Sequence, residues 1–234
     1  LQRRQLRRRI PHPPRRTHPL AALLPAPDAP PEGDLRPAAS RKGALPAHLA
    51  RNRRLGRYGP RRLDRRLHPA RNRGAGRRPP GLQILVRLFD RLALALVTDD
   101  RAHGDLKPEN IIVGDDGTLC PIDFDASYLP AFAGEISPEL GTAAYQHPAR
   151  TAADFDERID DYPAALISTA LHALAEDPTL WDRYGSSDGL LYTPQRIASD
   201  PAYRETLALF EKRGMAVQYR IAQLLTAPTL RLFG

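Results

Sequence analysis

Fourteen of the chain's 24 prolines fall within its first 80 residues, and no helical or strand period persists among them. Each proline fixes one backbone dihedral and removes one hydrogen-bond donor. Between them run Arg7-Arg8-Arg9, Arg15-Arg16, Arg61-Arg62 and Arg77-Arg78, with Tyr58 as the one aromatic residue and Lys42 as the one lysine. Such a stretch cannot bury enough apolar area to offset its conformational entropy. Residues 1–80 therefore read as a disordered Arg/Pro-rich segment, and the foldable part of the 234-residue chain as 81–234, enough for one substantial domain.

The charge divides at the same place. Residues 1–80 hold 22 Arg/Lys and 4 Asp/Glu, whereas the remainder holds 13 and 23, so the overall +8 describes neither part. Three readings of the first part stand open. An arginine-rich tail that neutralises nucleic-acid phosphates is one, but lysine and stacking aromatics are scarce, which disfavours nucleic acid. A solvated low-complexity linker is the second. The third is a reading-frame error upstream of a real domain, since Arg, Pro, Ala and Gly come from GC-rich codons. It is preferred, and Leu1 in place of Met adds the expectation of a fragment or a misassigned start.

Cys120 is the only cysteine, which excludes an internal disulfide and a cysteine cluster for zinc. No apolar run reaches bilayer-spanning length. The basic start is followed by Pro11, Pro13 and Pro14 rather than by the apolar core of a signal peptide. The expectation is a cytoplasmic protein without a membrane partner.

From Leu82 the texture changes. Leu82, Leu85, Leu88, Phe89, Leu92, Ala95 and Leu96 recur at three- and four-residue steps, which predicts an amphipathic helix to about Val97. Ile111-Ile112-Val113 reads as a short strand, Gly114-Asp115-Asp116-Gly117 as a turn, and Thr118 to Ile122 as the return strand. Pro121 has no donor and belongs at an edge or bulge of this hairpin. An apolar segment runs from Asp161 to about Leu174, and 201–213 and 215–226 look like two further helices.

Between the first helix and the hairpin stands His103-Gly104-Asp105-Leu106-Lys107-Pro108-Glu109-Asn110, and thirteen positions past Asn110 comes Asp123-Phe124-Asp125. An Asp and an Asn five apart on one loop, then a second Asp after a hairpin, suit metal-assisted phosphoryl transfer. One carboxylate orients a hydroxyl, while an amide and another carboxylate hold Mg²⁺ on a triphosphate. The segment resembles the catalytic loop and metal-binding motif of the protein-kinase-like superfamily, in its serine/threonine form. Leu140-Gly141-Thr142-Ala143-Ala144-Tyr145-Gln146-His147-Pro148 is similar to the stretch closing the kinase activation segment. The resemblance spans roughly 82–226, is strongest over 103–125, and implies an α+β fold: a mainly helical C-terminal lobe with a small β-hairpin.

It also implies roles. Asp105 would be the catalytic base and Lys107 would neutralise the transferred phosphoryl. Asn110 and Asp123 would hold Mg²⁺ and, through it, ATP. His103 would pack behind the loop, Thr142 would bond the base and Lys107, and Asp161, with Asp160 as the neighbouring alternative, would hold the loop's backbone. Beside each stands a plainer role: turn hydrogen bonding for Asp105, Asn110 and Asp123, and a solvated surface position for Lys107. Cys120 reads as a small strand hydrophobe.

Several residues depart from the pattern. Gly104 replaces the arginine that often receives an activation-loop phosphate, which resembles the H-G-D loop of aminoglycoside phosphotransferases; Lys107 and Glu109 point to protein kinases instead. Asp125 replaces a glycine, and no Ala-Pro-Glu follows. The upper phosphate clamp has no convincing counterpart: Arg73-Gly74-Ala75-Gly76 is half a glycine-rich motif, followed by Pro79-Pro80 where a strand should run. Three functions follow from the resemblance: MgATP-dependent transfer to a protein Ser/Thr hydroxyl, transfer to a small-molecule hydroxyl, or a catalytically inactive kinase-like fragment that binds partners.

Overall fold

A computed structural model of the chain describes residues 61–63, 80–114, 116–186, 189–229 and 232. The fold is mixed α and β. In chain order come β1 (Arg61–Arg62), α1 (Pro80–Thr98), β2 (Ile111–Val113), β3 (Leu119–Pro121), α2 (Asp161–Glu176), α3 (Thr179–Tyr184), α4 (Pro201–Lys212) and α5 (Ala216–Leu224). Single 3₁₀ turns lie at Pro108–Asn110, Pro130–Phe132 and Ala143–Tyr145, and a longer one at Pro194–Ser199.

The helix expected from Leu82 extends over Pro80–Thr98. Proline suits a first helical position, where its missing N–H would have no partner anyway. Leu82, Leu85, Val86 and Phe89 turn one buried stripe toward α2. At the far end the Thr98 hydroxyl returns to the Leu94 carbonyl at 2.7 Å, and Asp99 pairs with Arg101 at 2.9 Å, so the chain leaves the helix shortly before His103.

Helix α2 is the centre of the molecule. Nearly every side chain from Asp161 to Ala175 is buried, and α1, α3, α4 and α5 all pack on it. Such a helix carries no amphipathic stripe because every face is covered. Between α1 and α2, Asp90 accepts from Ser168 Oγ at 2.8 Å and pairs with His172 Nε2 at 2.9 Å. Asp200 caps α4 by accepting from the Ala202 amide, with Pro201 at the first helical position.

Strands β2 and β3 form the expected hairpin, in the register Ile111↔Pro121, Ile112↔Cys120 and Val113↔Leu119. Pro121 sits on the edge strand, where a missing donor costs no ladder bond. The third strand was not expected. Arg61 and Arg62 pair antiparallel with Val113 and Ile112, and Leu63 is fully buried in the main core. The reading of 1–80 as structureless therefore does not extend over 61–63. A buried leucine between two arginine pairs is too short a signal for any periodicity to register. Residues 1–60 and 64–79, which include Lys42 and the Gly74/Gly76 half-motif, lie outside the described residues.

A second, smaller core of Ala102, Tyr128, Phe155 and Ile159 fastens the segment after Asp123 to the segment before His103 through paired backbone bonds between Ala102 and Tyr128. Among the described residues, no helix is long and apolar enough to cross a membrane.

Candidate functional site

The loop 103–110 leaves α1, makes one 3₁₀ turn at Pro108–Asn110 and runs directly into β2. Asp105, at its centre, is held from three sides. One carboxylate oxygen accepts from the Thr142 amide at 2.6 Å. The other lies 2.8 Å from Lys107 Nζ and accepts from Asn110 Nδ2 at 3.1 Å. Burial pushes the Asp105 carboxyl up, but Lys107 and the Thr142 amide and hydroxyl outweigh it and hold the group below its ordinary value. It is an ionised, oriented carboxylate at neutral pH. Lys107 also donates to Thr142 Oγ1 at 2.7 Å, so Thr142 bonds both expected partners, the carboxylate through its amide and the ammonium through its hydroxyl.

Asn110 is buried, and its Nδ2 is committed to the backbone and carboxylate oxygens of Asp105. That fixes the amide's orientation and leaves Oδ1 as its acceptor atom. Ile122 N–H donates to the Asn110 carbonyl at 2.9 Å, which brings Asp123 beside Asn110 across the end of the hairpin. Asp123 is exposed and has φ 69°, the one non-glycine in the left-handed region among the described residues. Aspartate tolerates that region better than most side chains. The left-handed turn falls at 123 and not at 125, so Asp125 in place of a glycine needs no unusual backbone there.

His103 is buried behind the loop, as expected. Its Nδ1 accepts from the Asp105 amide at 3.3 Å, so Nε2 carries the proton that bonds the Ile122 carbonyl at 2.8 Å. The ring thus ties the loop to the residue preceding Asp123, and Phe124 packs on it at 4.8 Å.

One expected role moves by a single residue. The carboxylate that holds the loop's backbone is Asp160, which accepts from the His103 and Gly104 amides. Asp161 is equally buried, but it lies on α2 facing Arg158 Nη1, 3.8 Å away. Asp160 precedes the helix, with its side chain free to reach back to the loop, whereas Asp161 is turned by helical geometry to another side. Burial raises the Asp160 carboxyl, opposed by the two amides and by His103 and Arg150.

Two further residues, Gln146 and Arg150, had no sequence signal, and both act at Gly104. A Cβ added at Gly104, whose φ is 81°, would fall 2.0 Å from the Ala126 carbonyl oxygen, so no side chain fits at 104. The Gly104 carbonyl accepts from Arg150 Nη1 at 3.0 Å and from Gln146 Nε2 at 3.3 Å. The segment 141–150 thereby grips the loop from below. Arg150 also borders a cavity of about 620 Å³ lined by Gln146, Phe155, Arg158 and Tyr162, which Asp105, Lys107, Asn110 and Asp123 do not reach.

The loop gathers an oriented carboxylate, an ammonium and a side-chain amide, and the backbone pairing of Ile122 with Asn110 places the exposed Asp123 next in the chain. Oxygen donors of this kind suit a hard cation such as Mg²⁺, which keeps waters and needs few protein ligands. No group of three or more His, Cys, Asp or Glu side chains suited to a metal occurs among the described residues. No protein-family model matches the chain, and no curated protein is significantly similar to it.

Proposed function

We propose that this chain carries the catalytic half of an ATP- and Mg²⁺-dependent phosphotransferase acting on a hydroxyl group. The observation that carries the reading is the three-way fixation of Asp105 by Lys107, Thr142 and Asn110, with Asp123 delivered alongside. Asp105 would accept the hydrogen bond of an acceptor hydroxyl and set its oxygen in line for attack. Lys107 already neutralises that carboxylate and sits where it would meet negative charge gathering on the transferred group. Asn110 Oδ1 and the Asp123 carboxylate would hold Mg²⁺. The metal's contribution, when bound, is to screen and orient the phosphate oxygens.

Four of the exposed large apolar side chains (Phe124, Leu129, Ile136 and Leu140) lie in the segment between Asp123 and Gly141. Apolar exposure of that kind suits contact with a polypeptide better than with a small polar alcohol. It favours a protein serine or threonine as acceptor. A small-molecule hydroxyl is the second reading, favoured by Gly104: with no room for a side chain there, the loop carries no arginine to receive a regulatory phosphate.

Transfer of label from γ-³²P-ATP to a generic protein substrate tests the reading. Incorporation that falls by about 10²–10⁴-fold in Asp105→Asn supports it. Label appearing only on amino sugars or other small alcohols assigns the second reading. Absence of transfer to either class leaves a partner-binding fragment.

A further inference from the structure

We propose that Arg150 is a positioning residue for the reactive loop, supplying from the 141–150 segment the cation that Gly104 cannot carry. The proposal rests on the phosphotransfer reading for its kinetic test alone. The grip itself is read from the contacts at Gly104.

Gly104 is the pivot. The Ala126 carbonyl blocks any side chain at that position, so the loop cannot anchor itself through residue 104. Its peptide groups are instead held from two sides: the N–H by Asp160 Oδ1 at 3.0 Å and the carbonyl by Arg150 Nη1 at 3.0 Å, with Gln146 Nε2 adding a weaker bond at 3.3 Å. The next residue is Asp105, whose carboxylate must lie within hydrogen-bond distance of the Thr142 amide. A shift of the Gly104 carbonyl is therefore a shift of the reacting carboxylate.

Arg150 is also where the charges around the loop meet. Burial lowers the basicity of its guanidinium, opposed by Asp160, Asp154, Asp105 and Asp156. Burial raises the Asp160 carboxyl, and Arg150 opposes that rise, though less than the His103 and Gly104 amides do. Nη1 also bonds Gln146 Oε1, which fixes the plane of the guanidinium. Nε and Nη2 are buried and have no acceptor among the described residues. The one bond that reaches the site is Nη1 to Gly104.

The cavity bordered by Arg150 supplies a direct test, because truncation at 150 opens onto space that a small planar cation can enter. In full-length Arg150→Ala, kcat for phosphoryl transfer is expected to fall by about 10²-fold, the scale of a misplaced catalytic group, with the KM for ATP within about twofold. Millimolar guanidinium or methylguanidinium is expected to restore a large part of that loss. Urea, of the same shape but uncharged, is expected to restore nothing. Arg150→Lys, with the charge but not the fork, should fall between wild type and Arg150→Ala.

Hydrogen exchange gives a reading that needs no activity. The His103 and Gly104 amides should exchange faster in Arg150→Ala, and faster to a smaller degree in Gln146→Ala, while amides of α4 remain as in wild type. If phosphotransfer is absent from the wild type but this local exchange pattern appears, the positioning role stands and the functional reading falls. Unchanged exchange at 103–104 overturns the proposal, as does a loss of kcat that guanidinium and urea restore equally. Should Arg150→Ala fail to fold, Gln146→Ala and Arg150→Lys carry the test, and wild-type exchange at 103–104 in both overturns it.

Discussion

Two carboxylates 55 positions apart do opposite things to the same loop. Asp105 is held below its ordinary value although burial opposes this, because Lys107 and Thr142 bind its ionised form. Asp160 is raised, because burial outweighs the two amides it accepts from. The signs of their linkage to folding differ accordingly. The Asp105 contribution is present above the unfolded value and lost as pH falls through the folded one. The Asp160 contribution is present below the unfolded value and lost as pH rises through the folded one. Asp160→Asn should cost about 1–3 kcal/mol in chemical denaturation, since one amide oxygen replaces two acceptors and an NH₂ is turned toward a donor. The difference between wild type and this variant should shrink as pH rises from about 4, the ordinary aspartate range. A difference that grows with pH would mean that Asp160 is stabilised as the anion. In metal-free buffer the Asp105→Asn variant should behave in the reverse sense, its deficit largest near neutrality and fading in acid.

At this scale the sequence was legible for one class of residue only. Asp105, Lys107, Asn110 and Thr142 were singled out by motifs and by what the resemblance implies, and they meet in space. The choice between Asp160 and Asp161 was not legible, because adjacent residues with the same side chain differ only in where the backbone enters the helix. Gln146 and Arg150 left no signal either. Their role is set by the approach of two segments more than 40 positions apart, which spacing along one segment cannot encode.

Among the elements, α1, the β2–β3 hairpin, α4 and α5 were readable because each has a period, a cap or a turn cluster of its own. Helix α2 was readable only as an apolar run, since a helix buried on every side has no stripe. Strand β1 was not readable at all. Two residues make too short a strand for alternation, and what identifies them is the pairing with Val113 and Ile112 and the burial of Leu63. Leu63→Ala should therefore destabilise the fold by about 2–4 kcal/mol, through lost transfer energy and an unfilled cavity. Thermal or urea denaturation measures it. A change under about 0.5 kcal/mol, the usual range for surface positions, would detach 61–63 from the fold.

For the molecule as a whole, a core centred on α2 supports a loop whose charged and polar groups are ordered by the protein's own contacts. Asn110, Lys107 and Thr142 fix Asp105 from within the described chain, whereas the sequence of the first 80 residues, described only at 61–63 and Pro80, offers no convincing counterpart of a clamp over the far phosphates. Nucleotide binding is thus the point at which the account is most exposed. The most direct measurement is the melting temperature of the full chain with ATP, in the presence and absence of Mg²⁺. Binding at ten times the dissociation constant contributes about 1.4 kcal/mol, or roughly 3–6 °C for a chain of this size. The account expects an upward shift of that order only when ATP and Mg²⁺ are both present, and its loss in Asp123→Ala. No shift at millimolar ligand, or a shift that needs no Mg²⁺ and survives Asp123→Ala, would contradict it.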